Sequence, residues 1–151
     1  MSLSEPDVRS LPATRVAAVA FRASGQPEIS GLVGPAFDRA WDAMQAAGVE
    51  PGLPIAWYVM DATGIDCWAG FESAAAVEGL ELVELPEAPQ AVAVQHFGGP
   101  AGIDGAWQAA FAWLEANGAS PSAPGREVYL SSEPGDQDSW VTEIQQPFSR
   151  P

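Results

Sequence analysis

Two short stretches that resemble each other decide the fold of this chain: AAGVEPGLP (Ala46–Pro54) and EANGASPSAP (Glu115–Pro124). Aligning them places Pro51 on Pro121. Both combine a glycine with prolines, a composition typical of the turn that follows a helix. Because self-similarity along a sequence indicates a structural repeat, we expect the two halves of the chain to fold alike.

The resemblance extends outward on both sides of these stretches. Gaps of one residue separate the further matches, and loops tolerate such gaps. The matches are Leu11-Pro12 with Leu85-Pro86, Tyr58 with Tyr129, and DCW (Asp66 to Trp68) with DSW (Asp138 to Trp140). The duplication therefore covers most of the chain.

Each half predicts a strand, a helix and a hairpin, in that order. The hairpins are predicted because their turns are rich in turn-forming residues. The first strands are predicted at RVAAVAF (Arg15–Phe21) and QAVAVQHF (Gln90–Phe97), and the hairpin strands at about Ile55–Met60 with Cys67–Glu72 and about Glu127–Ser131 with Ser139–Ile144.

The helix of each half is predicted from apolar residues spaced along one helical face. Gly48 and Gly118 follow the last apolar turns, where glycine commonly ends a helix. The apolar positions are Val33, Phe37, Trp41 and Met44 in the first half, and Ile103, Trp107, Phe111 and Leu114 in the second.

These elements predict an α+β fold, a duplicated β-α-β-β unit of the SHS2 type. We expect the two units to form one antiparallel sheet with both helices on one face, related by a pseudo-twofold axis. Each unit would be marginally stable alone, so residues 1–151 are taken as a single domain. Repeat one spans about 11–72, a linker about 73–84, and repeat two about 85–148.

The composition excludes several functional classes. The chain has 20 acidic and 6 basic residues, a net charge of −14 and no lysine, so it would repel nucleic acid and attract cationic partners. No apolar run is long enough to span a membrane, and MSLSEPDVRS lacks a signal-peptide pattern, which predicts a cytoplasmic protein. With a single Cys67 and a single His96, we expect no metal site and no cofactor.

The stretch PGREVYLSSE (Pro124–Glu133) carries the candidate site. Alternation along a strand puts Glu127 and Tyr129 on one face, and Ala56 takes the place of Glu127 in the first half. A crevice between the repeats with one acid and several aromatic rings would suit a lipophilic, cationic ligand. Ordinary packing of the aromatic residues and a solvated Glu127 remain open as alternatives. The candidate ligand-binding residues are Glu127, Tyr58, Tyr129, Trp68, Trp140, Trp107 and Phe97.

The second half also resembles a known family in the run from HFGGP through AW, FAWLEANG and REVYL. WAGFE (Trp68–Glu72) and TEIQQPF (Thr142–Phe148) add to this likeness. Together they resemble the GyrI-like small-molecule-binding domain, the effector-binding domain of AraC-type and BmrR-type multidrug regulators, which also occurs alone. The chain departs from the family pattern at Ala101, where many members have an aromatic residue.

The resemblance implies a duplicated β-α-β-β fold that binds lipophilic, often cationic compounds between its repeats. It maps the acidic and aromatic residues of the family's E-x-Y motif onto Glu127 and Tyr129. Some standalone members hydrolyse cyclopropane-bearing alkylating agents, which leaves an enzyme using Glu127 and Tyr129 as an alternative. A third alternative is an acidic domain that binds a protein partner through its surface.

Overall fold

The computed structural model describes residues 2–151, and its strands and helices alternate largely as the repeat predicts. The strands are β1 (Ser2–Leu3), β2 (Asp7–Leu11), β3 (Thr14–Ala23), β4 (Pro54–Met60), β5 (Ile65–Glu72), β6 (Glu81–Leu85), β7 (Ala88–Phe97), β8 (Ser120–Pro121), β9 (Arg126–Ser131) and β10 (Val141–Ser149). The helices are α1 (Gln26–Ala47) and α2 (Asp104–Ala116), and short 3₁₀ turns lie at Pro100–Gly102 and Gln137–Ser139.

The chain divides into two compact units, each an antiparallel sheet with one helix. One unit is Ala13–Pro86, and the other joins the N-terminal residues through Pro12 to Glu87–Pro151. All the strand pairings within the units are antiparallel. The predicted α+β class and the β-α-β-β order of both halves are therefore confirmed.

In the unit Ala13–Pro86, β5 pairs with β4 on one side and β3 on the other, and β6 completes the outer edge of β3. Helix α1 packs on this sheet through Ala40 and Met44, which contact Ala17 and Phe71 in a buried cluster. Because Tyr58 lies opposite Cys67 on the neighbouring strand, both side chains face α1.

The other unit repeats this arrangement with β7, β9 and β10 in the places of β3, β4 and β5. Strands β1 and β2 extend the sheet beyond β7, and β8 pairs with the end of β10. The core lies between α2 and the sheet, and its buried residues are Val92, Val94, Ala106, Ala110, Leu114, Ile144 and Phe148.

The outer edge strands are exchanged between the repeats. Strand β2 precedes repeat one in the chain but pairs with β7 of repeat two. Strand β6 precedes repeat two but pairs with β3 of repeat one. The segment 73–84, interpreted from sequence as a linker, therefore contains the start of a strand. Both edge strands end in the matched Leu-Pro pairs, Leu11-Pro12 and Leu85-Pro86, so the exchange is part of the repeat.

Each helix buries alanines together with the last of its predicted apolar positions, Met44 on α1 and Leu114 on α2. On α1 the residues that face the core include Ala36, Ala40 and Met44, and on α2 they are Ala106, Ala110 and Leu114. These positions are equivalent in the two repeats. Small alanines let each helix approach its sheet closely, which moves the larger aromatic residues to the flank. Of the predicted apolar positions, Trp41 and Phe111 are 46% and 47% exposed.

Glycines end both helices, as predicted. Gly48 caps α1 with a φ of 68°, and Gly118, with a φ of 63°, comes directly after Asn117, the cap residue of α2. Within residues 2–151, neither helix is long and apolar enough to cross a membrane. In the same part of the chain, no three His, Cys, Asp or Glu side chains are grouped so that they could hold a metal ion.

Candidate functional site

Glu127 is a buried carboxylate on the helix-facing side of its sheet. It lies on β9 directly opposite Ile144 of β10, which packs against α2 in the core. Only 6% of Glu127 is exposed. Burying a carboxylate is costly unless hydrogen bonds replace its water, so its partners decide what it can do.

Two aromatic side chains donate hydrogen bonds to this carboxylate, one to each oxygen. The indole Nε1–H of Trp107 donates to Oε2 over 2.9 Å. The hydroxyl of Tyr129 donates to Oε1 over 3.1 Å. Hydrogen bonds to a charged acceptor are stronger than neutral ones, so this pair holds Glu127 in a fixed orientation.

Gly125 makes room for the Trp107 ring. A Cβ atom at this position would lie 2.7 Å from both Cη2 and Cζ3 of Trp107, closer than real Cβ atoms come. The side chain of Gln146 also crowds the position. Sequence analysis did not single out Gly125, although its place two residues before Glu127 puts it on the same strand face.

Two further rings extend this arrangement. Phe111 stacks on Trp107 with ring centres 6.1 Å apart, and Trp140 tilts against Tyr129 with centres 6.4 Å apart. We call Glu127 with Trp107, Phe111, Tyr129 and Trp140 the Glu127 cluster. In this cluster each oxygen of one buried carboxylate accepts from an aromatic side chain, and each of those side chains contacts a second ring.

The loop before β10 fixes Trp140 at the edge of the Glu127 cluster. The Trp140 indole donates to the carbonyl of Glu133 over 2.7 Å, and the Trp140 carbonyl accepts from the backbone N–H of Gly98 over 2.9 Å. His96 supports the same turn, because its Nε2 bonds to the carbonyl of Gly99 over 2.8 Å. His96 is 1% exposed, which agrees with a structural role.

The structure brings together four of the seven predicted residues, namely Glu127, Tyr129, Trp107 and Trp140. Phe97 lies next to the helix-facing His96 on β7, so its side chain points to the other face, where it is 37% exposed. Phe111 also belongs to the Glu127 cluster, although its spacing predicts only that it lies on the apolar face of α2.

Tyr58 and Trp68 lie in the unit Ala13–Pro86, on opposite faces of its sheet. Tyr58 is half-buried and packs on the α1 side. Trp68 pairs with Trp57 across β4 and β5, and the two rings stack with centres 5.7 Å apart on the face away from α1. Trp68 therefore does not share a face with Tyr58, because the strand alternates its side chains.

Only one repeat carries the carboxylate. Ala56, two residues before Tyr58, takes the position of Glu127 in the other unit and is fully buried. If a polar group at this place were needed for folding, it would be expected in both repeats. The asymmetry therefore favours a functional role for Glu127.

A family model described as the GyrI-like small molecule binding domain matches residues 4–149. The chain belongs to this family. The match to the GyrI-like model covers nearly the whole chain. None of the curated proteins compared with the chain matches it.

Solved structures share the fold of this GyrI-like domain at low sequence identity. The EcmrR–DNA complex aligns with a TM-score of 0.79 at 19% identity, over 97% of this chain but 58% of the EcmrR chain. SAV2435 bound to tetraphenylphosphonium gives 0.71 at 11%, over 97% and 94%. A hydrolase from Listeria innocua gives 0.61 at 14%, over 96% and 92%.

Proposed function

We propose that this GyrI-like domain binds a lipophilic organic cation, with Glu127 as its counter-ion. The observation that carries the proposal is a carboxylate only 6% exposed that accepts hydrogen bonds from the aromatic residues Trp107 and Tyr129. Aromatic faces attract cations by about 0.5–2 kcal/mol each, and a partly desolvated carboxylate supplies the opposite charge. A ligand of this class uses both properties.

The charge of the whole chain and one structural neighbour support the same class of ligand. A net charge of −14 attracts cations to the surface. SAV2435, which shares the fold, has been solved with tetraphenylphosphonium, a lipophilic cation. We propose that the domain acts as an effector-binding module, passing on the occupancy of its site to a protein partner.

The proposal assigns the rings of the Glu127 cluster as walls of the site. Tyr58, Trp68 and Phe97 stay predictions as ligand-binding residues, to be tested one by one. A Tyr58→Phe variant removes the hydroxyl and keeps the ring, so a change in affinity would assign that hydroxyl a role. Trp68→Phe and Phe97→Leu test the two residues on the sheet faces away from the helices. Each variant keeps an apolar side chain, so a change in affinity would assign a role to the ring that is lost.

The test is a titration of intrinsic tryptophan fluorescence with tetraphenylphosphonium. We expect saturable quenching in the wild type and an affinity lower by about tenfold or more in Glu127→Gln, because the counter-ion is lost. Glu115→Gln is the matched control, since it removes the same charge from an exposed position on α2. Circular dichroism confirms that each variant is folded.

Tetraphenylborate separates charge from shape, because it has nearly the same shape as the phosphonium ion and the opposite charge. We expect it not to bind. Equal affinity for both ions, or equal affinity in Glu127→Gln and Glu115→Gln, would show that Glu127 is not a counter-ion.

Hydrolysis of a strained electrophile is a second candidate function, favoured by the hydrogen-bonded pair of Glu127 and Tyr129. Glu127 would take a proton from water while the Tyr129 hydroxyl turns from Glu127 to polarise a substrate carbonyl. The water oxygen would bond to a cyclopropane carbon, a ring C–C bond would break, and the proton would end on the released carbon. The hydrolase from Listeria innocua shares the fold. Mass spectrometry of a cyclopropane-bearing substrate should reveal a product with the mass of one added water, absent in Glu127→Gln.

A further inference from the structure

A second buried acid, Glu143, lies on the face of the same sheet that points away from α2. Its carboxylate accepts from Nη1 of Arg9 at 3.0 and 3.1 Å, from Nε2 of Gln95 at 3.0 Å and from Nε2 of Gln145 at 2.8 Å. Glu143 is 2% exposed. Both of its oxygens are therefore already engaged by donors.

Arg126 shares this face with Glu143. It lies directly opposite Gln145 on β10, and it precedes Glu127, so the side chains of Arg126 and Glu127 point to opposite faces of the sheet. Arg126 is 4% exposed, and its Nε atom is buried without a hydrogen-bond partner among residues 2–151. Glu143 does not provide an acceptor for it in this structure.

Among the described residues, the Nε–H of Arg126 lacks the acceptor that its burial requires. Burial lowers the pKa of Arg126, because removal from water disfavours the charged form. Arginine nevertheless stays charged in proteins, and a buried donor without a partner carries the full cost of lost hydration. The Nε–H and the neighbouring terminal N–H form a fork that fits two oxygens of a carboxylate or phosphate.

We propose that Arg126 binds a small oxyanion, a carboxylate or a phosphate, on the sheet face opposite the Glu127 cluster. Because Nε is buried and only 4% of Arg126 is exposed, the ligand must be a small group, and the side chains around Nε must move apart to admit it. The acidic chain repels anions overall, so binding depends on the local hydrogen bonds and is weak, with a dissociation constant of about a millimolar. This site does not depend on the cation site, because the two residues face opposite ways.

Arginine Nε–H signals in a ¹⁵N-correlated NMR spectrum provide a direct test. The chain has six basic residues, all arginine, so few signals compete. The signal missing in Arg126→Lys identifies Arg126. We expect this signal to follow a saturable curve when sodium phosphate or sodium acetate replaces sodium chloride at constant ionic strength. The signal of the exposed Arg39 should shift slightly and without saturation.

Thermal unfolding gives a second readout. Phosphate or acetate should raise the melting temperature of the wild type and of Arg39→Lys, the matched control, more than that of Arg126→Lys. If Arg126→Lys does not fold, Arg126→Gln, which removes the buried charge, serves in its place. Saturation of the Arg126 signal in the wild type remains the deciding result.

Three results would overturn the proposal. The Nε–H signal of Arg126 could fail to shift, it could shift in proportion to the signals of the exposed arginines, or chloride alone could saturate its shift. Any of these would mean that the Nε atom has no oxyanion as its partner. Saturation by acetate alone or by phosphate alone would support the proposal and assign the class of oxyanion.

Discussion

At the scale of single residues, the Glu127 cluster depends on a position that has no side chain. Gly125 leaves space for the ring of Trp107, and that ring reaches the carboxylate of Glu127. Strand alternation predicts that Glu127 and Tyr129 lie together. It says nothing about how near a helix residue comes, which is why the bond from Trp107 was not foreseen.

A Gly125→Ala substitution should displace the Trp107 ring. We expect it to destabilise the protein by about 1–3 kcal/mol, because a methyl group is forced into occupied space. Loss of the indole hydrogen bond should also weaken cation binding. Gly105→Ala on α2 is the control, since in the part of the chain that the structure describes its added methyl meets nothing within 4 Å beyond its chain neighbours and the backbone of its own helix. Urea unfolding and the phosphonium titration measure both effects, and equal behaviour of the two variants would contradict the prediction.

Removal of the Glu143 charge tests the polar network on the other face. Glu143→Gln replaces an acceptor of Arg9, Gln95 and Gln145 with a group that has fewer acceptor sites. We expect a loss of about 1–3 kcal/mol in the free energy of unfolding. The exposed Asp7, 3.4 Å from Arg9, is the comparison, and Asp7→Asn should change stability by less than about 1 kcal/mol. A loss in Asp7→Asn as large as in Glu143→Gln would show that the burial of Glu143 is not what matters.

At the scale of elements, the helices illustrate what periodicity can and cannot predict. The spacing of large apolar residues located both helices, because the pattern needs only the helical period. It does not single out the buried alanines, since alanine contributes little to an apolar pattern yet lets the helix axis lie close to the sheet. Larger aromatic residues lie on the flank of α2, where Trp107 and Phe111 belong to the Glu127 cluster.

A pair of neighbouring substitutions on α2 separates the two roles. Ala110 is fully buried against the sheet, so Ala110→Leu should destabilise the fold by about 1–3 kcal/mol through overpacking. Phe111 is 47% exposed, so Phe111→Ala should change stability by less than about 1.5 kcal/mol. We expect Phe111→Ala to weaken binding of tetraphenylphosphonium. If chemical unfolding showed that Phe111→Ala is less stable than Ala110→Leu, Phe111 would be part of the core.

The edge strands were not predicted, for a reason that lies in their own sequences. Strand β2 reads DVRSL and β6 reads ELVEL, so each is five residues long and carries charges. Short, charged strands are typical of sheet edges, where charge discourages pairing with other chains. Such strands give a weak alternation signal, and only the pairing partner reveals them.

At the scale of the whole molecule, the exchange of edge strands makes one unit depend on both ends of the chain. Deleting residues 2–12 should remove the strand that pairs with β7 and the Arg9 partner of Glu143. We expect hydrogen-exchange protection around Ala91–Ala93 to fall by about tenfold or more, while β3 and β5 stay protected.

The full-length Arg9→Ala variant is the control for this deletion, because it removes the ion pair and keeps the strand. Protection in β7 should then fall only slightly. If the deletion and Arg9→Ala gave the same protection, pairing with β2 would add little to the stability of β7. If β3 and β5 lost protection as strongly as β7, the two units would unfold together.

The exchange also sets an order for folding during synthesis. Every strand of the unit Ala13–Pro86 has been made once residue 86 leaves the ribosome, so this unit has all that it needs early. The other unit requires β2 from the start of the chain and β10 from its end. Because domains fold as their residues are translated, β2 must wait unpaired until β7 is made. Its charged residues keep it from pairing with other nascent chains meanwhile.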